Sequence, residues 1–222
     1  MRIVIKIIVA LLLIPLIGGY ASALFNTALV FINNPSLNWH FLTGIGAGIL
    51  LFPILMKRRF IRTFEHEMTH LIFAKLFLGN IKELNVSSEG SGYVEYSAFP
   101  NPFIGLSPYF FPLFAAIIAL LVPLLNPIFS KYFYIAVGFF LVHHLLSAII
   151  EISSSQPDIK QEGILFSAVF ISFFLILFYG IIISEIISYA QILIFFKTGL
   201  IKSLSILMSI KDLFTVYLLA LC

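Results

Sequence analysis

The sequence predicts an all-α polytopic membrane protein of about six transmembrane helices, with a small β-ribbon after the helix that carries His66 and His70. Composition is the first reason. Hydrophobic residues make up 61% of the chain and charged ones 10%, whereas a soluble domain is roughly a quarter charged. With a mean hydropathy of +1.10, the chain cannot cover its own surface with polar groups, so a lipid bilayer is its main solvent. The second reason is a series of apolar runs separated by short polar, Pro-rich or Gly-rich breaks. The third is a single change of period, over residues 81–99, from helical to alternating. The length fits one integral-membrane domain, 1–222.

The first apolar run, 3–25, is long enough to span, and Arg2 and Lys6 at its start favour a cytoplasmic N-terminus. The small-residue stretch Ala21-Ser22-Ala23 also fits a signal-peptide cleavage site, so 1–25 is an anchor or a signal peptide. Residues 26–40 contain Asn33-Asn34-Pro35 and no Lys or Arg, which predicts an external loop. The second span, 41–56, carries Gly44, Gly46 and Gly48, a spacing that admits another helix at close range. The basic run Lys57-Arg58-Arg59 with Arg62 reads as a cytoplasmic anchor at the membrane edge, not a nucleic-acid surface. A helix over 60–78 follows and stops at Gly79-Asn80. Residues 81–99 then read as two short strands around Ser87-Ser88-Glu89-Gly90-Ser91-Gly92, which must lie at the interface or be walled in by protein.

Pro100, Pro102, Pro108 and Pro112 break the entry to the apolar run 103–125, predicting a kinked or re-entrant segment. A span over 132–152 leads into the polar loop 153–163. Residues 164–196 are too long for one crossing and should bend near Gly180 to Glu185. The last segment, 200–222, sets Lys202, Ser205, Ser209 and Asp212 on one face, as a span with a buried polar stripe or as an interfacial helix.

The pentapeptide His66-Glu67-Met68-Thr69-His70 carries the chemistry. Positions four apart share a helix face, so both imidazoles reach one metal, with Glu67 beside them as a base for water. This H-E-x-x-H spacing points to zinc. The only cysteine, Cys222, rules out cysteine-rich zinc modules and intrachain disulfides. A catalytic zinc takes three protein ligands and keeps one open position, so one more ligand is needed. The candidates are Asp158 first, then Glu151, His144 and Glu162. Asp158 follows Pro157 and reaches the side of His66 if the preceding span runs inward. His144, Ser147 and Glu151 share one face of that span, where ionisable groups turn to a bundle interior. His144 or Asn101 are candidates for stabilising an oxyanion.

Three stretches resemble the site-2 protease family of intramembrane zinc metalloproteases, especially its compact, divergent bacterial branch. They are Glu65-His66-Glu67-Met68-Thr69-His70, the glycine-then-Tyr-Val element Gly90-Ser91-Gly92-Tyr93-Val94-Glu95-Tyr96, and Gln156-Pro157-Asp158 ahead of a late span. The resemblance covers residues 41–185, which it marks as a catalytic core. It implies one zinc ion on His66, His70 and Asp158, Glu67 as catalytic base, and a transmembrane protein substrate presented as an extended strand along the ribbon at Tyr93 to Tyr96. It also implies a bacterial inner membrane, and His66, within two turns of the basic anchor, should sit near the cytoplasmic side. The family's ligand Asp precedes Gly, whereas here Ile159 follows Asp158, so Glu151 and His144 stay open as ligands. The competing expectation is a non-catalytic membrane protein whose structural or vestigial metal site serves the binding of a partner helix or lipid.

Overall fold

The computed structural model describes residues 3–57, 59–87, 89–152 and 156–221. Arg2, Arg58 of the basic run, Ser88 of the turn, Ser153 to Ser155 of the polar loop and Cys222 lie outside the described residues. The chain is an all-α membrane protein with one two-stranded sheet. Its elements are α1 (Ile3–Ile32), α2 (Pro35–Lys57), α3 (Phe60–Leu76), β1 (Asn80–Val86), β2 (Gly92–Ser97), α4 (Pro102–Gly105), α5 (Ser107–Phe110), α6 (Leu113–Leu121) with a 3-10 turn (Val122–Leu124), α7 (Pro127–Glu151), α8 (Pro157–Glu162), α9 (Ile164–Ile187) and α10 (Tyr189–Leu221).

Among the described residues, five helices are long and apolar enough to cross a bilayer: α1, α2, α7, α9 and α10. The sixth apolar run, 103–125, is divided. Its prolines split it into two single turns, α4 and α5, and a remainder, Leu113–Leu124. Twelve residues rise about 18 Å, short of a hydrocarbon core about 30 Å thick.

Three expectations about boundaries are corrected. Residues 26–40 are not a loop: α1 continues to Ile32, α2 starts at Pro35, and only Asn33 and Asn34 connect them. Thr27 reads as polar loop but is buried, with Gln191 Nε2 donating to its hydroxyl at 3.4 Å, so a helix partner replaces water. The bend expected near Gly180 to Glu185 lies instead at Ser188, which is extended between α9 and α10. Gly180 packs under the Phe195 ring, so its lack of a side chain serves helix approach and not a bend. Residues 200–221 continue α10, and their stripe of Lys202, Ser205, Ser209 and Asp212 is exposed, not buried. The buried polar residues of that helix are Gln191, on Thr27, and Ser203, set against Gly19 of α1.

Helix pairs in lipid gain little from the hydrophobic effect and depend on close packing. α2 and α7 run in the same direction: Gly44 lies on Ile135, Gly48 on Phe139 and Val142, and the Phe52 ring on His143. α1 and α10 run oppositely, with Tyr20 on Gly199, Gly19 on Ser203 and Gly18 on Ile206. The C-terminal ends of α2, α7 and α10 and the N-terminal end of α1 therefore share one end of the bundle. Ala23, in the small-residue stretch that resembles a cleavage site, is buried within the unbroken α1.

α3 ends at Leu76, earlier than the Gly79-Asn80 stop. Leu78 takes a left-handed backbone (φ 59°), and the Gly79 amide returns to the Ala74 carbonyl at 2.7 Å. The ribbon then folds back along α3. β1 and β2 pair antiparallel with Ile81 opposite Tyr96, Leu84 opposite Val94 and Val86 opposite Gly92, and a bulge lies between Ile81 and Glu83. The turn is tied to the start of α3 by Thr63, whose hydroxyl donates to the Gly90 carbonyl at 3.0 Å. Beneath α3, an aromatic cluster of Phe73, Phe110, Phe170, Phe174 and Phe178 joins it to α5 and α9. Edge-on pairs of this kind contribute about 0.5–1.5 kcal/mol each beyond burial.

Candidate metal centre

Three elements converge at the shared end of the bundle. α3 presents His66 and His70 one turn apart, α8 presents Asp158 from its first turn, and α5 closes the floor with Tyr109. The two imidazole Nε2 atoms stand 3.2 Å apart. Asp158 Oδ2 lies 3.8 Å from His66 Nε2 and 3.6 Å from His70 Nε2. Donors about 2.0–2.1 Å from a tetrahedral zinc are separated by about 3.3 Å. The donor triangle is thus already close to the size that zinc requires, and two imidazoles with one carboxylate suit that ion. Among the described residues, His66, His70 and Asp158 are the one group of three or more such side chains able to hold a metal.

The imidazoles are held from behind. His70 Nδ1 donates to the Ile104 carbonyl at 2.8 Å, which leaves Nε2 as the free lone pair. His66 Nδ1 donates to Glu151 Oε2 at 3.1 Å, and the other Glu151 oxygen is ion-paired to Arg62 Nε at 2.7 Å. A carboxylate behind a ligand histidine fixes its tautomer and raises its basicity. The Tyr109 hydroxyl donates to Asp158 Oδ2 at 3.3 Å. Burial acts to raise the Asp158 carboxyl pKa, but the two adjacent imidazoles outweigh it and hold the group well below the ordinary carboxylate range.

Glu67 points from the same helix toward β2, its methylenes packed against Gly92, and its charge acts on His66, Tyr96 and Tyr109. Any side chain at Gly92 would press on Glu67 and Thr63. β2 alternates as a half-buried strand should: Val94, Tyr96 and Ala98 turn inward, whereas Tyr93, Glu95 and Ser97 are exposed. Between that inner face and α8 lies a cleft of about 400 Å³ lined by Val94, Tyr96, Asn101, Ile104 and Asp158, among others. Burial, then the charges of Asp158 and Glu67, push the Tyr96 phenol above its ordinary value.

The other candidates occupy different places. His144 is buried with both ring nitrogens engaged, Nδ1 by the Tyr179 hydroxyl at 3.0 Å and Nε2 by the Pro108 carbonyl at 3.1 Å. It stands behind α5 and is not in the donor triangle. Glu151 supports His66 and is not a third member of the triangle. Glu162 is paired with Lys6 at 2.9 Å. Asn101 lines the cleft while its side chain caps α4, accepting from the Ile104 amide at 3.2 Å. Tyr93 faces away from the cleft, its hydroxyl donating to Glu83 at 2.8 Å.

Sequence reasoning gave no site role to Arg62, Tyr109 and the Ile104 carbonyl, and named Tyr96 only as part of the ribbon. Arg62 carried a signal, since it lies four residues before His66 on the same helix face, but its place in a basic run drew it toward the membrane surface. Tyr96 follows from strand parity once Gly92 is set beside α3. No local pattern marks Tyr109 or Ile104. Comparison of the chain with protein-family models, with curated proteins and with solved structures finds no match.

Proposed function

We propose that this chain is an intramembrane zinc metalloprotease of the site-2 protease kind, cleaving a peptide bond in or near a transmembrane segment of a membrane-protein substrate. The observation that carries the reading is the three-donor triangle of His66, His70 and Asp158, with Glu67 beside His66 on the same helix and Asp158 lining the adjacent cleft. Structural zinc sites are closed by four protein ligands, whereas catalytic ones use three. Three donors beside a cleft therefore favour catalysis over the alternative of a structural site serving partner or lipid binding.

When bound, zinc supplies a Lewis acid for the scissile carbonyl and for the attacking water. The carboxylate of Glu67 takes the proton of that water and hands it to the leaving amine. Glu151 and Ile104 keep the two imidazoles in the tautomer and orientation that ligation needs. A helical substrate hides its carbonyls in its own hydrogen bonds and must unwind to be cut. Among the described residues β2 pairs only with β1, so its other edge offers amides and carbonyls to an extended substrate strand, with Val94, Tyr96 and Ala98 on the cleft side. Lys6, Lys57 at the end of α2 and Arg62 lie at the same end of the bundle as the triangle. By the bias of Lys and Arg toward the cytoplasm, this supports a site on the cytoplasmic side, in a bacterial inner membrane as the resemblance implies.

The test joins metal content to cleavage. Purified protein should carry about one zinc, lost in His66→Ala. Mapping of new protein N-termini in membranes that contain wild-type protein or Glu67→Gln should reveal cuts within transmembrane segments that need Glu67. Glu67→Gln should retain its zinc. Cuts that persist in this variant would refute the proteolytic role.

A further inference from the structure

The third donor rides on a helix of only six residues, Pro157–Glu162, followed at once by Gly163 in a left-handed backbone (φ 94°). Such a segment has little stiffness of its own, because a single helical turn is unfavourable without outside contacts. Among the described residues it packs on α4 and α9. Ile159 is buried in the core beside Phe166 and Phe170, Asp158 meets Tyr109, and the C-terminal end is gripped by one side chain from another helix.

That side chain is Lys6 of α1. Its ammonium donates to the Glu162 carbonyl at 2.7 Å and to the Gln161 carbonyl at 3.3 Å, and it stands 2.9 Å from the Glu162 carboxylate. The ammonium thus faces three oxygens, donating to two and ion-paired with the third. Two of them are carbonyls at the C-terminal end of α8, where a helix lacks partners and attracts positive charge. Lys6 and Glu162 are mostly buried, with 15% and 7% of their side chains exposed. The ring of Phe166 lies under the ammonium at 5.6 Å. An unpaired charge inside an apolar helix is costly, so the α1–α8 junction has one favoured arrangement.

Resting on the metal-centre reading above, we propose that Lys6 is a positioning residue for the metal centre: by clamping the C-terminal end of α8, it sets where Asp158 stands relative to His66 and His70. Asp158 and Glu162 are four residues apart on α8 and so lie on nearly the same face. A rotation of the short helix that frees Glu162 from Lys6 also carries Asp158 away from the imidazoles. Coordination tolerates errors of only about 0.2 Å in ligand distance, so a small rotation opens the site. α1 is in this sense part of the metal centre, although it contributes no ligand. Removal of residues up to Ala23 would abolish the clamp.

The test uses the full chain in detergent, with cobalt(II) as a spectroscopic stand-in for zinc and a competing chelator to measure affinity. Lys6→Met should weaken cobalt binding about tenfold or more, the scale set by loss of a group that orients a ligand, and should change the visible cobalt spectrum. Lys6→Arg should restore both. Cobalt affinity within twofold of wild type together with an unchanged spectrum in Lys6→Met would overturn the proposal. So would a lowered melting temperature of the metal-free protein with normal cobalt binding by the folded fraction. If Lys6→Met does not fold, the double variant Lys6→Met/Glu162→Gln decides, since it removes the ammonium without leaving a buried carboxylate unpaired; unchanged affinity and spectrum there also overturn the proposal. Asp158→Asn separates the two ideas. Undiminished cobalt binding in that variant would refute the metal-centre reading itself, whereas a loss there with none in Lys6→Met or the double variant would refute only the clamp.

Discussion

Replacing Glu151 should weaken zinc without touching a ligand. Its carboxylate spans two partners, His66 Nδ1 at 3.1 Å and Arg62 Nε at 2.7 Å. Glu151→Ala removes the acceptor that orients His66 and leaves the Arg62 side chain, 19% exposed, without its counter-charge. Loss of such a carboxylate behind a ligand histidine typically lowers metal affinity about 10- to 100-fold, or about 1.4–2.7 kcal/mol. Glu151→Gln keeps an amide oxygen for the Nδ1–H and gives up only the charge, so it should cost about 1 kcal/mol. Asp158→Asn, which alters the donor itself, should weaken binding most. The assay is competition between the purified protein and a colorimetric zinc chelator in detergent. The expected order of loss is Asp158→Asn, then Glu151→Ala, then Glu151→Gln. Affinity of Glu151→Ala within twofold of wild type would refute the role given to this carboxylate.

The remaining predictions concern the cleft and the helix packing. Tyr109→Phe keeps the buried ring and deletes only the hydroxyl on Asp158; zinc affinity should fall by about 0.5–1.5 kcal/mol, read by the same competition, with the fold unchanged by circular dichroism. Tyr96→Ala should reduce substrate cleavage while Tyr93→Ala leaves it intact, because only the former faces the cleft; equal losses in an N-terminus mapping experiment would contradict the strand parity. Gly48→Leu places a side chain against Phe139 and Val142 at the α2–α7 contact; it should lower the melting temperature in detergent, by about 1–3 kcal/mol of overpacking or more, while the exposed change Leu50→Ala should not.

Much of the membrane architecture was legible because lipid imposes it. Apolar runs of span length, basic residues at one end and glycines at helix contacts are consequences of composition, and α1, α2, α7 and α9 follow from them. Errors arose where protein contacts replaced water or lipid. Asn26-Thr27 read as loop because polar residues usually face water, yet Thr27 is met by Gln191 from the far end of the chain. The run 103–125 read as an apolar segment with a kinked or re-entrant entry, and Pro102, Pro108 and Pro112 fold that entry into the wall behind His70. His66, Glu67 and His70 were visible through fixed helical spacing, which needs no tertiary information. Asp158 was reachable only as a ranked choice among acids, because its place depends on α7 returning to the same end of the bundle. Tyr109 and the Ile104 carbonyl act through long-range approach, which no local pattern encodes.

The central claim is that His66, His70 and Asp158 form one zinc site. Zinc K-edge X-ray absorption of the purified protein tests it most directly, measured on wild type and on Asp158→Asn. The account predicts about one zinc per chain, with two imidazole ligands and one carboxylate oxygen at about 2.0–2.2 Å, and loss or disorder of the oxygen shell in the variant. A spectrum without histidine scattering, or one identical in wild type and Asp158→Asn, would contradict it.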